Sequence, residues 1–367
     1  SSSSAASDVY KRQEERFPLN YAESFDNVGL IVGSPEQEVS SVLITLDTLE
    51  EVVDEAILSK CNLIVSFHPI IFSGLKKLTG SNYVEKAVIK AIKNDISIYA
   101  IHTALDNSFN GVNAKICEIL KLSNRQILIP QKETICKLET YVPTKDADFL
   151  REKLFQAGAG NIGNYSDCSF NINGLGSFKG NENSQPSIGE KNKLHFENEI
   201  QIGVIFPKHL QKNILKALFE NHPYEEVAYQ IYLLENKNQH IGLGMIGEFS
   251  EPMGEQDFLN YVKEKMNTQC IRHSQFLNKK IKKVAVLGGS GAFAIENAIM
   301  AGADAYITSD IKYHDFFKAE QKILLADIGH YESEQFTKNL LLDEFTKKFP
   351  NFAFYLSKTN TNPINYL

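Results

Sequence analysis

Three short segments of this 367-residue chain concentrate the side chains that bind metals and move protons. They are Ser66-Phe67-His68-Pro69, His102-Thr103-Ala104-Leu105-Asp106, and Asp327-Ile328-Gly329-His330-Tyr331-Glu332-Ser333-Glu334. Each follows an apolar, β-branched run, so each falls at the carboxyl end of an expected parallel strand, the edge where open α/β sheets place ligands. The third also opens a helix, on which His330 and Glu334 are four residues apart and project from one face. Imidazoles with carboxylates and no thiolate make a mixed nitrogen and oxygen site, suited to zinc, manganese or iron(II). A single histidine after a strand is more often a hydrogen-bonded structural residue, and Glu334 also suits a first helical turn. The coincidence of three such segments is what points to a metal.

Two further motifs leave strands. Gly288-Gly289-Ser290-Gly291, between a strand and a helix, could cradle an anion through backbone amides. It lacks the lysine of a P-loop and the spacing of a dinucleotide fingerprint, and tight strand-to-helix packing is the competing reading. Thr308-Ser309-Asp310-Ile311-Lys312-Tyr313-His314 offers Asp310 and His314 as proton-transfer or ligand-orienting groups, or as caps of the next helix. His102 is a third candidate for proton transfer. The histidines at 195, 209, 222, 240 and 273 are read as surface or structural.

The elements that must position these residues alternate strand and helix. Apolar runs at 42–46, 62–67 and 96–101 are expected strands, with helical spacing at 49–57 and 83–93 between them. A second block repeats the rhythm: strands near 284–287, 304–308, 323–327 and 352–356, and one long amphipathic helix over 332–348. Nearly all-apolar strands alternating with helices imply a mostly parallel sheet. Between the blocks the order becomes β-α-β, β-α-β, the signature of a ferredoxin-like α+β module. The expected fold class is therefore α/β, a discontinuous α/β domain at 14–130 and 239–367 with a ferredoxin-like insert at 131–238.

Composition narrows the function. Hydrophobic residues are 43% and charged residues 23%, which excludes a mainly disordered chain. A net charge of −7 argues against a nucleic-acid partner. No apolar run approaches the roughly 18 residues of a membrane span. Five scattered cysteines without a CxxC pair read as reduced thiols of a cytoplasmic protein. Ser1–Gln13 is set apart as an artefactual or disordered leader, because Asp8-Val9-Tyr10-Lys11-Arg12-Gln13 matches the translation of a DNA-library transposase adapter.

Taken together and in order, Phe25-Asp26-Asn27-Val28-Gly29-Leu30, His68-Pro69, His102–Asp106, Gly288–Gly291, Thr308–His314 and Gly329–Glu334 resemble the Nif-three-like family, known as GTP cyclohydrolase I type 2 homologues. The resemblance spans about Tyr21 to Leu367, and the insert resembles a PII/CutA-like domain. It implies a dinuclear metal centre, usually zinc and sometimes iron or manganese. His68 and Asp106 would hold one ion, His330 the other, and Glu334 both. It also implies a homohexameric ring, a trimer of dimers, acting on a small-molecule substrate. The family pattern has a second histidine directly before His68; here that residue is Phe67, so the second ion loses a ligand. The expected activity is metal-dependent hydrolysis of a nucleotide-like or heterocyclic compound, the alternative a non-catalytic metal-binding ring with a ligand- or partner-sensing insert.

Overall fold

The computed structural model describes residues 4–350 and 352–367. Strands Ser41–Thr45, Leu63–Ser66 and Ser97–Ala100 are parallel neighbours with apolar residues on both faces. Because side chains alternate along a strand, Val42, Ile44, Leu63, Val65 and Tyr99 enter one core. Leu43, Ile64 and Ile98 enter another, beneath helices Glu50–Leu58 and Tyr83–Lys93. Ala353–Leu356 (parallel) and Gly29–Val32 (antiparallel) complete this five-stranded sheet.

A second sheet of six strands has Lys280–Ser290, Ala305–Ser309 and Leu324–Asp327 as its parallel centre. Arg272–His273 and Asn238–Gly254 flank that centre antiparallel, and Ser123–Gln131 forms one edge. Val284, Val286, Ala305, Ile307, Leu324 and Ala326 enter the core shared with the first sheet. Tyr306 and Leu325 point the other way, toward helix Ile295–Met300. Helices Val112–Ile119 and Thr337–Lys348 add Ile116, Cys117, Leu341 and Phe345 to the shared core.

The α/β class stands, with three departures in detail. The domain holds two mixed sheets, and each half of the chain lends a strand to the other's: Ala353–Leu356 to the first, Ser123–Gln131 to the second. The long helix expected over 332–348 is two helices, His330–Glu334 and Thr337–Lys348, separated where the Gln335 side chain turns to donate to Met266 O (2.7 Å). Of the stretch set apart as a leader, Ser1–Ser3 lies outside the described residues, but Ala6–Arg16 is a helix. Its Val9 and Tyr10 are buried in the shared core, and the Tyr10 ring stacks on Tyr99 at 4.7 Å. Two adjacent apolar residues suffice to dock an otherwise polar helix.

Residues Gln131–Asn238 form a separate compact unit. Its antiparallel sheet runs Tyr229–Leu234, Ile135–Pro143, His195–Pro207, Phe170–Phe178, the fourth, first, third and second strands of a β-α-β-β-α-β chain. Leu138, Val142, Ile202, Val204 and Phe206 meet Leu150, Leu154, Ile214 and Leu218 of helices Ala147–Gln156 and Gln211–Asn221 in a core of their own. Strands Ser123–Gln131 and Asn238–Gly254, which enter and leave this unit, are sheet neighbours. Replacing 131–238 by a short Gly/Ser bridge should therefore leave a folded protein that still takes up metal. A folded deletion product without metal uptake would overturn that division.

Among the described residues no helix is long and apolar enough to cross a membrane. All five cysteines are free thiols.

Candidate metal centre

His68 lies two residues beyond strand Leu63–Ser66, where its amide donates to Leu46 O (2.9 Å) and its carbonyl accepts from the Ser66 hydroxyl (2.7 Å). His330 opens the helix that follows strand Leu324–Asp327. Asp327 builds the turn between them: its buried carboxylate accepts from the amides of Ile311 (2.9 Å) and Gly329 (3.1 Å) and pairs with Arg272. Gly329 has φ +94°, and a Cβ there would lie 2.1 Å from Glu332 Oε2, so the turn demands glycine.

One helical turn on, Glu334 is 3% exposed, with Oε2 3.1 Å from His68 Nε2 and 3.2 Å from His330 Nε2. The outer ring nitrogens are also held. His68 Nδ1 is 2.8 Å from Asp47 Oδ1, and His330 Nδ1 is 2.6 Å from Asp310 Oδ2, which itself accepts from the Ser290 hydroxyl. Ligand atoms of His68, His330 and Glu334 all lie within 4.8 Å of one another, a group able to hold a metal ion. Both histidines thus share one oxygen of Glu334, the residue that the resemblance gives to both ions.

The electrostatics of the group are strongly coupled. Burial alone would strip the imidazole protons. For His68, the charge of Glu334 and the bond to Asp47 overcome that and push its pKa up to about 10. His330 is pushed up to about 11 by its bonds to Asp310 and Glu334. Burial would raise the Glu334 carboxyl, but the two imidazoliums hold it below its ordinary range. Asp106, half-buried at the end of helix His102–Asp106, is driven far up, first by burial and then by the Glu334 charge. Its Oδ1 has no hydrogen-bond partner. Asp106 is not in the group of three, yet it is the nearby acidic residue that a cation would allow to ionise.

His102 sits at the end of strand Ser97–Ala100 with an unusual φ of +28°, a strain of the kind that gathers at functional sites. Its Nδ1 is 2.8 Å from Asp26 Oδ1, and its ring centroid is 5.1 Å from that of His68. Burial would raise the Asp26 carboxyl, but bonds from His102 and from the Thr103 amide and hydroxyl outweigh it and hold the pKa at about 2. A depressed carboxyl contributes stability above its unfolded pKa and loses it as the pH falls through the folded value. Asp26→Asn should therefore cost about 2 kcal/mol near neutrality and remove the loss of stability between about pH 4 and pH 2. Urea titrations at several pH values check this; an unchanged acid limb would refute it.

The other candidates fall elsewhere. Phe67 is wholly buried, its ring centroid 4.8 Å from His68 and 5.5 Å, edge-on, from His102. Gly288–Gly291 is no open anion cradle. The Gly288 amide donates to Asn113 Oδ1 (2.9 Å), Gly289 to Ser333 Oγ (2.9 Å) and Gly291 to Ser309 O (3.4 Å). The glycines serve close packing instead: Gly289 has φ +73°, and a Cβ there would stand 2.5 Å from Glu334 Oε1. Asp310 is occupied in orienting His330. His314 is exposed, its ring against Tyr313 and Phe317, and is not brought to the group. Sequence reasoning missed Asp47 as the partner of His68; the available signal was that it too follows a strand, Ser41–Thr45.

A family model described as Duf34/NIF3 (NGG1p interacting factor 3) matches residues 4–363. The chain belongs to the DUF34/NIF3 family. Among curated members it is 38% identical over 361 residues to the GTP cyclohydrolase 1 type 2 homolog of Bacillus subtilis, covering 96% of each chain. A solved Bacillus cereus protein related to NIF3 superimposes with a TM-score of 0.87 at 37% identity, covering 100% of both chains. A Staphylococcus aureus structure gives 0.80 at 30% identity, over 100% of this chain and 99% of that one. The DUF34/NIF3 architecture therefore extends over the insert as well as the domain that carries the histidines.

Proposed function

We propose that this DUF34/NIF3 protein is a metal-dependent hydrolase of a small nucleotide-like or heterocyclic compound. Its metal is held by His68, His330 and Glu334, with Asp106 as a further oxygen ligand. The observation that carries the reading is the pair of carboxylate-backed imidazoles, Asp47–His68 and Asp310–His330, with both Nε2 atoms turned on one buried carboxylate oxygen. A partner on the outer ring nitrogen fixes tautomer and orientation in metal-binding histidines. Zinc suits two nitrogens and one or two carboxylate oxygens, and iron(II) or manganese are the alternatives. A divalent ion there supplies Lewis acidity, acidifying water and polarising the group under attack.

The protein's own residues then have separate tasks. Asp47 and Asp310 hold the two rings. Asp26 orients His102, which takes and returns the proton beside His68. The wholly buried Phe67 keeps bulk water from the core side of the site. The curated relatives' name makes GTP the first substrate to try, followed by pterins and phosphoesters. Metal-loaded protein should turn over a member of that panel, and His102→Ala should abolish turnover with metal content unchanged. Tight binding without turnover across the panel would favour the non-catalytic ring. Assembly as a homohexamer and a cytoplasmic location belong to the same proposal, and light scattering checks the first.

A further inference from the structure

The unit Gln131–Asn238 carries an open cleft of about 740 Å³, lined only by its own residues between Tyr141 and Ala228. That volume lies within the range of small-molecule sites. The cleft has a constructed wall. Segment 180–189 is tied across it at several points: the Gln185 amide donates to Glu225 Oε2 (2.8 Å), the Ser187 hydroxyl to Pro223 O (2.7 Å), and the Asn192 amide closes the base on Gly180 O (2.7 Å). A polar loop rich in Asn, Ser and Gly gains nothing from burial. Its anchoring to the turn at 223–226 therefore holds open a space that simple collapse would remove.

The lining selects a class of ligand. Phe178 and Tyr224 present two tilted rings, centroids 5.6 Å apart. Beside them lies the half-buried Glu199, whose Oε1 accepts from the Tyr224 hydroxyl at 2.7 Å. Its Oε2 occupies the space a side chain at position 176 would need, since a Cβ on Gly176 would stand 2.1 Å away. Glu225 and Glu226 add two more carboxylates, against the single ammonium of Lys179. Aromatic faces next to a fixed carboxylate attract cations by two mechanisms at once, cation–π attraction and ion pairing. An anion or a phosphorylated compound would meet three negative charges.

We propose that this cleft is a binding site for a small organic cation of the amidinium, guanidinium or ammonium class. The site is independent of the metal centre, because none of its lining residues belongs to that centre.

Calorimetric titration of the full-length protein with benzamidine, argininamide and spermidine tests this, with benzoate as a shape-matched anion. At least one cation should bind saturably at one per chain, equally to metal-loaded and metal-stripped protein, and benzoate should not bind. Glu199→Gln, which keeps an acceptor for Tyr224 but loses the charge, should weaken that cation at least about tenfold. If that variant does not fold, Glu226→Gln at the exposed rim should weaken it about twofold to threefold. Failure of all three cations to bind, equal binding of benzoate, or affinity unchanged in the folded variants would overturn the proposal. None of these results bears on turnover at the metal.

Discussion

Phe67→His should raise the metal bound after exhaustive dialysis from one ion per chain toward two. In the wild type, His68, His330 and Glu334 share a single locus, and the residue before His68 offers no lone pair. One strong site is what three ligands support. The Phe67 ring packs against both His68 and His102, at 4.8 and 5.5 Å, so an imidazole there would be a direct neighbour of both rings. The substitution has a cost. Phe67 is fully buried in the core shared by the two sheets, and an imidazole in its place should destabilise the metal-free protein by roughly 2–4 kcal/mol. Saturating zinc should recover most of that, because a ligand present at about 1,000 times its dissociation constant contributes about 4 kcal/mol. Elemental analysis with melting curves in zinc and in chelator checks both halves. Two ions per wild-type chain would show that another group, with His102 the nearest candidate, already serves the second locus.

Glu334→Ala should leave the dialysed protein without metal. Among the described residues the Glu334 carboxylate is the one that pairs with both histidines, so its loss removes a ligand shared by the two. Substitutions that only orient ligands typically cost roughly 10–100-fold in metal affinity; Asp47→Asn and Asp310→Asn belong to that class and should fall in that range. Glu334→Ala should exceed it. Glu334→Gln separates charge from shape, since the amide fills the same space beside Gly289 without the negative charge. It too should lose metal, with less loss of stability than the alanine variant. Retention of wild-type metal content by either variant would remove Glu334 from the centre.

The centre was legible because its histidines leave nearly all-apolar strands, which alternation marks clearly, and because His330 and Glu334 sit one helical turn apart. What escaped notice lies in residues with weak local signals. Asp47 stands in an ordinary turn before helix Glu50–Leu58 and looks like a capping residue. The long strand Asn238–Gly254 carries no clear strand pattern because glycines interrupt it. In the fold those glycines permit close strand approach: a Cβ on Gly242 would lie 2.2 Å from Ile129 O. The separation of two sheets was hidden for a similar reason. The pairing of Ala353–Leu356 with Ser41–Thr45 spans more than 300 positions, and no local periodicity reports that. The amides of Gly288 and Gly289 show the converse, a motif whose local pattern fits an anion cradle while Asn113, 175 positions away, already occupies it.

The same strand exchange fixes an order of events during synthesis. The first sheet cannot close until Ala353–Leu356 pairs with Ser41–Thr45, and Glu334 must emerge before His68 Nε2 has a carboxylate beside it. At roughly 5–20 residues per second, the amino-terminal half waits tens of seconds for its last strand. During that interval the contiguous unit Gln131–Asn238 can already fold on the core it carries within itself. A nascent chain thus displays a finished insert on an unfinished host, with the apolar edge of Ser41–Thr45 uncovered. Completion of the first sheet therefore waits on strand Ala353–Leu356, long after the insert has closed its own core.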